Sequence, residues 1–454
     1  MAHLTAICER NGCSVSIIDQ YYERLSDKDI VQQVQSFNPD IISFVGHTFN
    51  ANHIVKVAEE IKKFSDALII LDGGEICCRS IIDVVENKMP AAIDFGIIGE
   101  EDTIEDIICA VRKKENVFDV LGIIYEKNNK IVKTYRKPIN DLDSLPFPAF
   151  HLFDLEKYSC IHRKRGMYKV NLPIMMSRGC PYKCAFCSQT KYYKDVRYRS
   201  VDKVIDEIKY LKEKFKDYIY SFCFMDFTLT FDRERVFQLC EKIIKYGLND
   251  NVFYKGQTRA DCLDLQLAKI MQKAGFKRLI IGAESGSDDI LQKIDKKISR
   301  SDIENCVQIG KSAGIELDLQ FIIGLPGETR TSAWETIKFA RKLECSFVSL
   351  NIATAYPGSK LYELAKEGKE GLSLENGGFS NYQHMSASMM SVGNLSARQI
   401  TFYHKIFAIY ANLSFKKISH IIKNFGFFFM CKQILILLMP PLKGLNRFRF
   451  KVRI

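Results

Sequence analysis

The sequence predicts two α/β domains and a helical C-terminal region: a doubly wound parallel sheet, then a partial (β/α)6 barrel. Two observations predict this class. In the first hundred residues, short β-branched segments alternate with amphipathic helical segments, the pattern of a parallel sheet covered on both faces. From residue 172 to about 354, six more strand-like segments alternate with helix-like ones. Six consecutive units with right-handed crossovers would curl into a partial barrel.

The first domain is predicted to span residues 1–116. It opens in a helix-like segment, Ala2–Asn11, with no strand before it, so we expect its sheet to lack the first strand. Its amphipathic helices are predicted at Asn52–Phe64 and Asp102–Lys113. The strand-like segments are Ser14–Asp19, Asp40–Gly46, Ala67–Gly74 and Ile93–Gly99.

Residues 117–170 are predicted to form a linker. Two short apolar runs, Leu121–Tyr125 and Lys130–Tyr135, flank the turn-forming residues 127–129, which predicts a hairpin. The segment Asp141–Phe150 then has two prolines and little periodicity, as expected of a crossing between domains.

The barrel domain is predicted at residues 171–370, and a helical, basic region at residues 371–454. Barrel strands are predicted at Leu172–Ser177, Ile219–Met225, Val252–Gln257, Arg278–Ile281, Glu316–Ile323 and Phe347–Ile352. Barrel helices are predicted at Val201–Phe215, Arg233–Tyr246, Leu265–Ala274, Asp288–Ile294, Arg300–Ala313 and Ser332–Leu343.

The net charge of +11 is confined to the last part of the chain, because no Asp or Glu follows Glu375 and residues 1–375 are electrically balanced. A balanced body argues against a general nucleic-acid-binding protein. The first residues lack the pattern of a signal peptide, so we expect a cytoplasmic, reducing compartment. Clustered cysteines are therefore interpreted first as metal ligands.

Cys180, Cys184 and Cys187 form the strongest motif, with the spacing C-x3-C-x2-C in MSRGCPYKCAFCSQ. Three thiolates on one loop suit an iron–sulfur cluster, and would leave one iron of a 4Fe–4S cluster open to a ligand. The alternative is a zinc site completed by a distant Cys or His. No second cysteine pair with zinc-site spacing is present in the sequence, which favours the cluster.

Polar and glycine-rich motifs follow the other predicted barrel strands, at the ends where barrel active sites lie. They are Asp226, Arg259 with Asp261, the segment 282–286 (GAESG), the segment 324–329 (GLPGET) and the segment 356–358 (YPG). Taken singly, each has a structural alternative: a helix cap, a turn or a surface ion pair. Their shared position at one end of the barrel favours a functional site.

With these motifs, the chain resembles the radical S-adenosylmethionine (SAM) superfamily, and its cobalamin-binding branch in particular. GAESGS, FIIGLPGET, the DLDSLPFP linker and ATAYPGSKLYELA occur in the order seen in that branch, after a flavodoxin-like domain of the cobalamin-binding type. The resemblance implies that the three cysteines hold a 4Fe–4S cluster whose open iron binds SAM. Reduction by a flavodoxin- or ferredoxin-type donor would then yield a 5′-deoxyadenosyl radical that attacks a small-molecule substrate.

The resemblance also implies roles for single residues. Backbone groups after Phe186 would hold the adenine of SAM, and Glu284 and Ser285 would contact its ribose or methionine part. Gly324 and Pro326 would shape the floor under the adenine. Asp226 lies where the family often has an acidic pair, although here Phe227 follows it. No catalytic side chain is identified, and the substrate pocket carries no general sequence code.

Three functions remain open on the sequence. The first is a cobalamin-dependent methyltransferase acting on an unactivated carbon. The second is a SAM-only radical cyclase or rearrangement enzyme with a degenerate N-terminal domain, which the expected lack of a first strand would fit. The third is a metal-binding scaffold without turnover.

The C-terminal tail is predicted to be helical with a basic end. The apolar run Phe425–Met439 is interrupted by Lys432 and Gln433 and is shorter than the roughly 20 residues that a membrane-spanning helix needs. The basic, aromatic segment Lys443–Arg453 suits the surface of an anionic membrane. We expect either a helix packed on the barrel or peripheral contact with the inner face of the membrane, which would fit a lipid-like substrate.

Overall fold

A computed structural model describes residues 1–412 and residue 418, apart from short gaps. The residues that it does not describe are 47–49, 75–76, 80–81, 83–87, 159–169, 193–194, 376–387, 413–417 and 419–454. The element boundaries are close to those predicted, to within about two residues for most barrel elements.

The helices in the described part of the chain are α1 (Ala2–Arg10), α2 (Gln20–Glu23), α3 (Asp27–Phe37), α4 (Ala51–Lys62), α5 (Thr103–Lys113), α6 (Gln189–Tyr192), α7 (Val201–Lys214), α8 (Arg233–Lys245), α9 (Leu265–Lys273), α10 (Asp288–Lys293), α11 (Arg300–Ala313), α12 (Arg330–Lys342), α13 (Lys360–Glu367) and α14 (Ala397–Tyr410). The strands are β1 (Ile41–Val45), β2 (Leu68–Asp72), β3 (Phe95–Ile97), β4 (Ile123–Lys127), β5 (Lys130–Lys133), β6 (Val170–Ile174), β7 (Ser177–Arg178), β8 (Arg197–Tyr198), β9 (Ile219–Phe224), β10 (Phe253–Arg259), β11 (Phe276–Glu284), β12 (Glu316–Ile323), β13 (Phe347–Ile352), β14 (Leu372–Leu374) and β15 (Met390–Val392).

The first sheet has the order β1-β2-β3-β4-β5, with β1 to β3 parallel and β4 and β5 antiparallel. Apolar residues of α1 and α5 pack on one face and those of α3 and α4 on the other. This three-layer arrangement confirms the doubly wound sheet predicted for the first domain.

Two predictions about the first domain need correction. Ser14–Asp19 is irregular, not a strand, because a β-branched run forms a strand only where a neighbouring backbone pairs with it. The hairpin assigned to the linker instead extends the sheet, since Gly96 and Ile97 of β3 pair with Ile124 and Ile123 of β4.

The second sheet has the order β13-β12-β11-β10-β9-β6, and every neighbouring pair in it is parallel. The partial (β/α)6 barrel is therefore confirmed. Helix α14 covers its β13 end, where the Asn412 amide bonds both the N–H and the carbonyl of Val348.

Side-chain caps fix where the barrel helices begin. Ser200, Asp232, Asp264, Ser299 and Thr329 each accept a hydrogen bond from the backbone N–H three residues later. Such caps satisfy an N–H that the helix itself leaves unpaired. The strand-to-helix loops that carry the functional motifs consequently end at defined residues.

The predicted membrane-contacting tail, Phe425–Met439 with Lys443–Arg453, lies outside the described residues. Within the part of the chain that the structure does describe, no helix has both the length and the hydropathy needed to cross a bilayer.

Candidate active site at the C-terminal edge of the barrel

The predicted motifs meet at one edge because all six barrel strands run in the same direction. Cys180 follows β6, Asp226 follows β9, Arg259 ends β10, Glu284 ends β11 and Gly324 follows β12. Parallel strands bring these ends together at one rim, as in other α/β barrels. The prediction that these motifs share one end of the barrel is thus confirmed by the topology.

The cysteine loop is closed at its base and fixed at its centre. Arg178 of β7 pairs with Arg197 of β8, which closes the loop at its base. At its centre, the N–H of Ala185 donates to the carbonyl of Ile294 at 2.9 Å. The carbonyl of Ala185 accepts from the N–H of Leu361 at 2.8 Å, so the loop is held by both α10 and α13.

Buried cations lie beside the middle cysteine. Cys184 is 8% exposed, and Nη1 of Arg259 lies 3.9 Å from its sulfur. Burial raises the pKa of the Cys184 thiol, while the charges of Lys296 and Arg259 lower it. The sulfur of Cys180 lies 3.8 Å from the Thr228 hydroxyl. Burial outweighs the two cations, so the pKa of the Cys184 thiol is raised overall.

Among the residues that the structure describes, no three His, Cys, Asp or Glu side chains converge on a position for a single metal ion. A 4Fe–4S cluster needs no such point, because each of its cysteines binds a different iron atom.

Arg259 is held in place by an aromatic ring, a carboxylate and a backbone carbonyl. Its guanidinium lies 3.6 Å from the centre of the Tyr182 ring and donates from Nε and Nη2 to the carboxylate of Asp261 at 2.9 and 3.0 Å. Nη2 also donates to the carbonyl of Lys296 at 2.5 Å. At 3% exposure it is not a surface ion-pair partner, and the fixed fork keeps one nitrogen directed at Cys184.

Glu284 has an uncommon backbone conformation at the end of β11. Its φ is +62°, and the register with β12 shifts between Gly282 and Glu284. Its carboxylate accepts from Nζ of Lys296 at 2.7 Å, and both side chains are less than 9% exposed. A Cβ at Gly282 would lie 2.5 Å from Oε1 of Glu284, so a larger residue there would displace the Glu284 carboxylate. Strain of this kind is typical of functional sites.

Ser285 and Gly286 fasten the same loop to α12. The Ser285 hydroxyl lies 3.1 Å from that of Thr336, which also accepts from the N–H of Gly286 at 2.9 Å. A Cβ at Gly286 would lie 2.7 Å from Cα of Thr336. Ser285 is 1% exposed, so its hydroxyl is used to hold this loop against α12.

The Gly324–Pro326 loop is built around a buried acid. Gly324 has a φ of +86°, and its N–H donates to Oε2 of Glu328 at 3.1 Å. Burial raises the pKa of Glu328 to about 7. Pro326 is buried, and a Cβ at Gly324 would lie 3.2 Å from Ile400 of α14. The C-terminal helix therefore forms part of the wall behind this loop.

Asp226 is fully buried and acts on the start of the cysteine loop. It accepts from the Ser177 hydroxyl at 2.5 Å and from the N–H of Met176 at 3.2 Å. Burial raises its pKa to about 6. Phe186 is part-buried and packs against the barrel core. The predicted SAM contacts of both residues remain predictions.

The open face of the barrel sheet is polar. Side chains along β10, β12 and β13 alternate between fully buried and part-exposed. The buried set packs against the helices, so the part-exposed set, which includes Lys255, Gln257, Gln320 and Asn351, lies on the concave face. Met225 and Phe227, 57% and 37% exposed, stand at its rim beside Asp226.

The first domain has its own candidate edge, where β1 to β3 end in small residues. Gly46 follows β1, Gly73 follows β2 and Gly99 lies two residues beyond β3. Gly73 has a φ of +130°, and a Cβ there would lie 2.9 Å from the carbonyl oxygen of Gly46. The carboxyl ends of parallel strands are where α/β sheets bind their ligands.

Sequence reasoning missed Lys296, Tyr182 and Thr228 as members of the site. Lys296 stands next to Lys297 in DKKIS, a pattern typical of a solvated surface. Only the fold shows that it turns inward to Glu284. Tyr182 lies between two of the motif cysteines, and its position there was the one available signal.

Comparison with known proteins agrees with this architecture. Residues 174–340 match the model of the Radical SAM superfamily. An uncharacterized methyltransferase of Pyrococcus horikoshii is 30% identical over 371 residues, which cover 80% of this chain and 77% of that protein. The anaerobic magnesium-protoporphyrin IX monomethyl ester cyclase of Rubrivivax gelatinosus is 28% identical, over 90% of this chain and 73% of its own length.

A solved structure shares the fold across both domains. The radical SAM methyltransferase TsrM from Kitasatospora setae, solved with cobalamin and a [4Fe-4S] cluster bound, superposes with a TM-score of 0.66 at 16% identity. The match covers 81% of this chain and 71% of that one.

Proposed function

Because this chain belongs to the cobalamin-binding radical SAM family, we propose that it is a methyltransferase acting on an unactivated carbon of a small molecule. The observation that carries the radical chemistry is the single rim that joins the cysteine loop to Arg259, Lys296 and Glu284. The methyl transfer is supported by the Pyrococcus relative, which is named a methyltransferase.

The residues at the rim fit a 4Fe–4S cluster and SAM. Cys180, Cys184 and Cys187 would hold the cluster, beside the ion pairs Arg259–Asp261 and Lys296–Glu284. When bound, cluster and SAM supply a radical that removes hydrogen from an unreactive carbon, and cobalamin supplies the methyl group. We propose that a flavodoxin- or ferredoxin-type protein reduces the cluster.

Three loops would bind SAM. Backbone groups after Phe186 and the Gly324–Pro326 loop would hold the adenine, and Glu284 and Ser285 would contact the ribose or methionine part. Asp226 would act on SAM through the cysteine loop, since its carboxylate already accepts from that loop's first residues. The protein thus positions the cofactor and excludes water.

Cobalamin would lie on the glycine-lined edge of the first domain. Gly46, Gly73 and Gly99 lie at or just beyond the carboxyl ends of three parallel strands, where α/β sheets bind their ligands. TsrM, whose fold is shared over 81% of this chain, was solved with cobalamin bound.

The substrate is proposed to have hydrogen-bonding groups. The concave face presents Lys255, Gln257 and Gln320, which a wholly lipid-like molecule would leave unpaired at a cost. The rim residues Met225 and Phe227 are apolar and exposed, so an apolar part of the substrate would lie at the rim.

A second candidate is a radical cyclisation. It is favoured by the cyclase of Rubrivivax gelatinosus, which aligns over 90% of this chain. The two candidates differ in whether a methyl group appears in the product.

Anaerobic reconstitution tests the proposal. We expect about four iron atoms per chain, release of 5′-deoxyadenosine on reduction with SAM, and retention of added hydroxocobalamin by its absorbance. Cys184→Ala should abolish 5′-deoxyadenosine. Cys240→Ala is the matched control, because this cysteine is fully buried in α8 away from the rim, and it should leave the yield intact.

Each readout removes a different part of the proposal. An unchanged yield in Cys184→Ala would remove the radical SAM reading of the cysteine loop. Normal 5′-deoxyadenosine without cobalamin retention would favour the cyclase candidate over the methyltransferase.

A further inference from the structure

The neck of the cysteine loop is defined here as residues 177–179 with residues 195–198. It is narrow: a Cβ at Gly179 would lie 2.2 Å from the carbonyl oxygen of Asp195. Its two arginines, Arg178 and Arg197, are cross-strand partners. A displacement of either arginine would therefore displace the base of the loop that carries Cys180, Cys184 and Cys187.

Both neck arginines bind carboxylates of the first domain. Arg197 donates from Nη2 and Nη1 to the two oxygens of Glu100 at 2.6 and 2.8 Å. Arg178 donates from Nη1 and Nη2 to the two oxygens of Glu101 at 2.7 Å each. Glu100 also lies 3.6 Å from Nη1 of Arg178, which joins the two pairs into one network.

These pairs are unlike ordinary surface ion pairs. The side chains of Glu100, Arg197 and Arg178 are 8%, 12% and 13% exposed, and that of Glu101 is 25% exposed. Exposed pairs contribute little, but two-pronged guanidinium–carboxylate pairs shielded from water are directional and strong. The four side chains therefore fix the orientation of one loop relative to the other.

On the first domain, Glu100 and Glu101 follow Gly99 at the glycine-lined edge. Gly99 is closely packed at this edge, because a Cβ there would lie 2.2 Å from the Thr103 hydroxyl. Glu100 is additionally fixed by the N–H of Ile139, which donates to its carboxylate at 2.7 Å. A ligand that moves this edge would also move the two carboxylates.

We propose that Glu100 and Glu101 transmit occupancy of the first domain's edge to the neck of the cysteine loop. This regulation rests on the proposed function, in which cobalamin occupies that edge. By linkage, a ligand that tightens the edge also tightens the neck, and a cluster in the loop strengthens binding at the edge. Glu100 and Glu101 are positioning residues, since they act through Arg197 and Arg178.

Hydrogen exchange of backbone amides in residues 179–192 tests the coupling on the full chain without cluster. In the natural protein, adding hydroxocobalamin should slow exchange there by about tenfold. In Glu100→Gln/Glu101→Gln, cobalamin absorbance should still report binding, but the slowing should fall below about twofold. Asp106→Asn is the matched control, because Asp106 pairs with Arg136 inside the first domain, and it should behave like the natural protein.

The outcomes separate the coupling from the proposed function. Cobalamin binding that leaves exchange in residues 179–192 unchanged, or slowing that survives in the double variant, overturns the coupling alone. A natural protein that binds no hydroxocobalamin removes the cobalamin part of the proposed function, and the coupling with it. If the double variant does not fold, Arg178→Lys/Arg197→Lys keeps both charges but loses both two-pronged pairs. Undiminished slowing in that variant would equally overturn the coupling.

Discussion

Glu328 is a carboxylic acid enclosed by the barrel, and it gives the sharpest test of the loop under the predicted adenine site. It is 4% exposed. Its Oε2 accepts from the N–H groups of Gly324 and Leu325 at 3.1 and 3.4 Å, and its Oε1 accepts from the Ser332 hydroxyl at 3.0 Å. These bonds favour the charged form, but burial opposes it more strongly and raises the pKa from 4.5 to about 7.

We expect Glu328→Gln to stabilise the protein at neutral pH. In the natural protein the folded state holds its proton more tightly than the unfolded state does. Stability from this group is therefore fully present below the unfolded pKa of 4.5 and is lost as the pH rises to about 7. At 1.36 kcal/mol per pKa unit, the loss is about 3 kcal/mol. Glutamine resembles the protonated acid, does not titrate, and avoids the loss.

The assay is urea denaturation followed by the fluorescence of Trp334, the one tryptophan of the chain, which lies in the adjacent helix α12. The free energy of unfolding of Glu328→Gln minus that of the natural protein should increase by about 3 kcal/mol between pH 4.5 and 7.5. Glu335→Gln, at an exposed position of the same helix, is the control and should change stability by less than about 0.5 kcal/mol. A difference for Glu328→Gln that is flat with pH would refute the reasoning.

Three further substitutions test the packing of the rim by the same denaturation assay. Gly286→Ala should cost about 1–3 kcal/mol, because its Cβ would overlap Cα of Thr336; stability like that of the natural protein would argue against this close approach. Lys296→Met should cost about 3–5 kcal/mol by leaving Glu284 buried without its cation, and added Glu284→Gln should restore most of it. Asp226→Ala should cost about 1–3 kcal/mol, since it leaves the Met176 N–H and the Ser177 hydroxyl without their buried acceptor. An unchanged midpoint would show that these bonds contribute nothing net.

The sequence was sufficient to predict the helices and strands of the barrel, because periodicity and side-chain caps act locally. Arg300–Ala313, Glu316–Ile323 and Phe347–Ile352 were predicted with the boundaries that the structure has. In each, the spacing of apolar residues along the sequence predicts which positions are buried. The cysteine motif is equally local, since its three cysteines share one loop.

Prediction failed where a residue's role depends on a distant partner. Ser14–Asp19 has the composition of a strand but is irregular, because strand pairing is decided by another segment. Lys296 looks solvated in DKKIS, yet the turn after α10 directs it to Glu284. Arg178 and Arg197 carry no motif, and only the β7–β8 pairing brings them to the carboxylates of the first domain.

The acids at the strand ends suggest how this site divides the work between protein and cofactor. Asp226 and Glu328 are buried acids at the strand ends, and each carboxylate accepts hydrogen bonds from nearby loop residues. Glu284 is likewise occupied by Lys296. A general base needs a face free to reach the substrate's proton, and these three acids use their oxygens to hold the loops that would bind the cofactors. Radical chemistry needs no such base, so acids that hold the cofactor-binding loops are compatible with a radical enzyme.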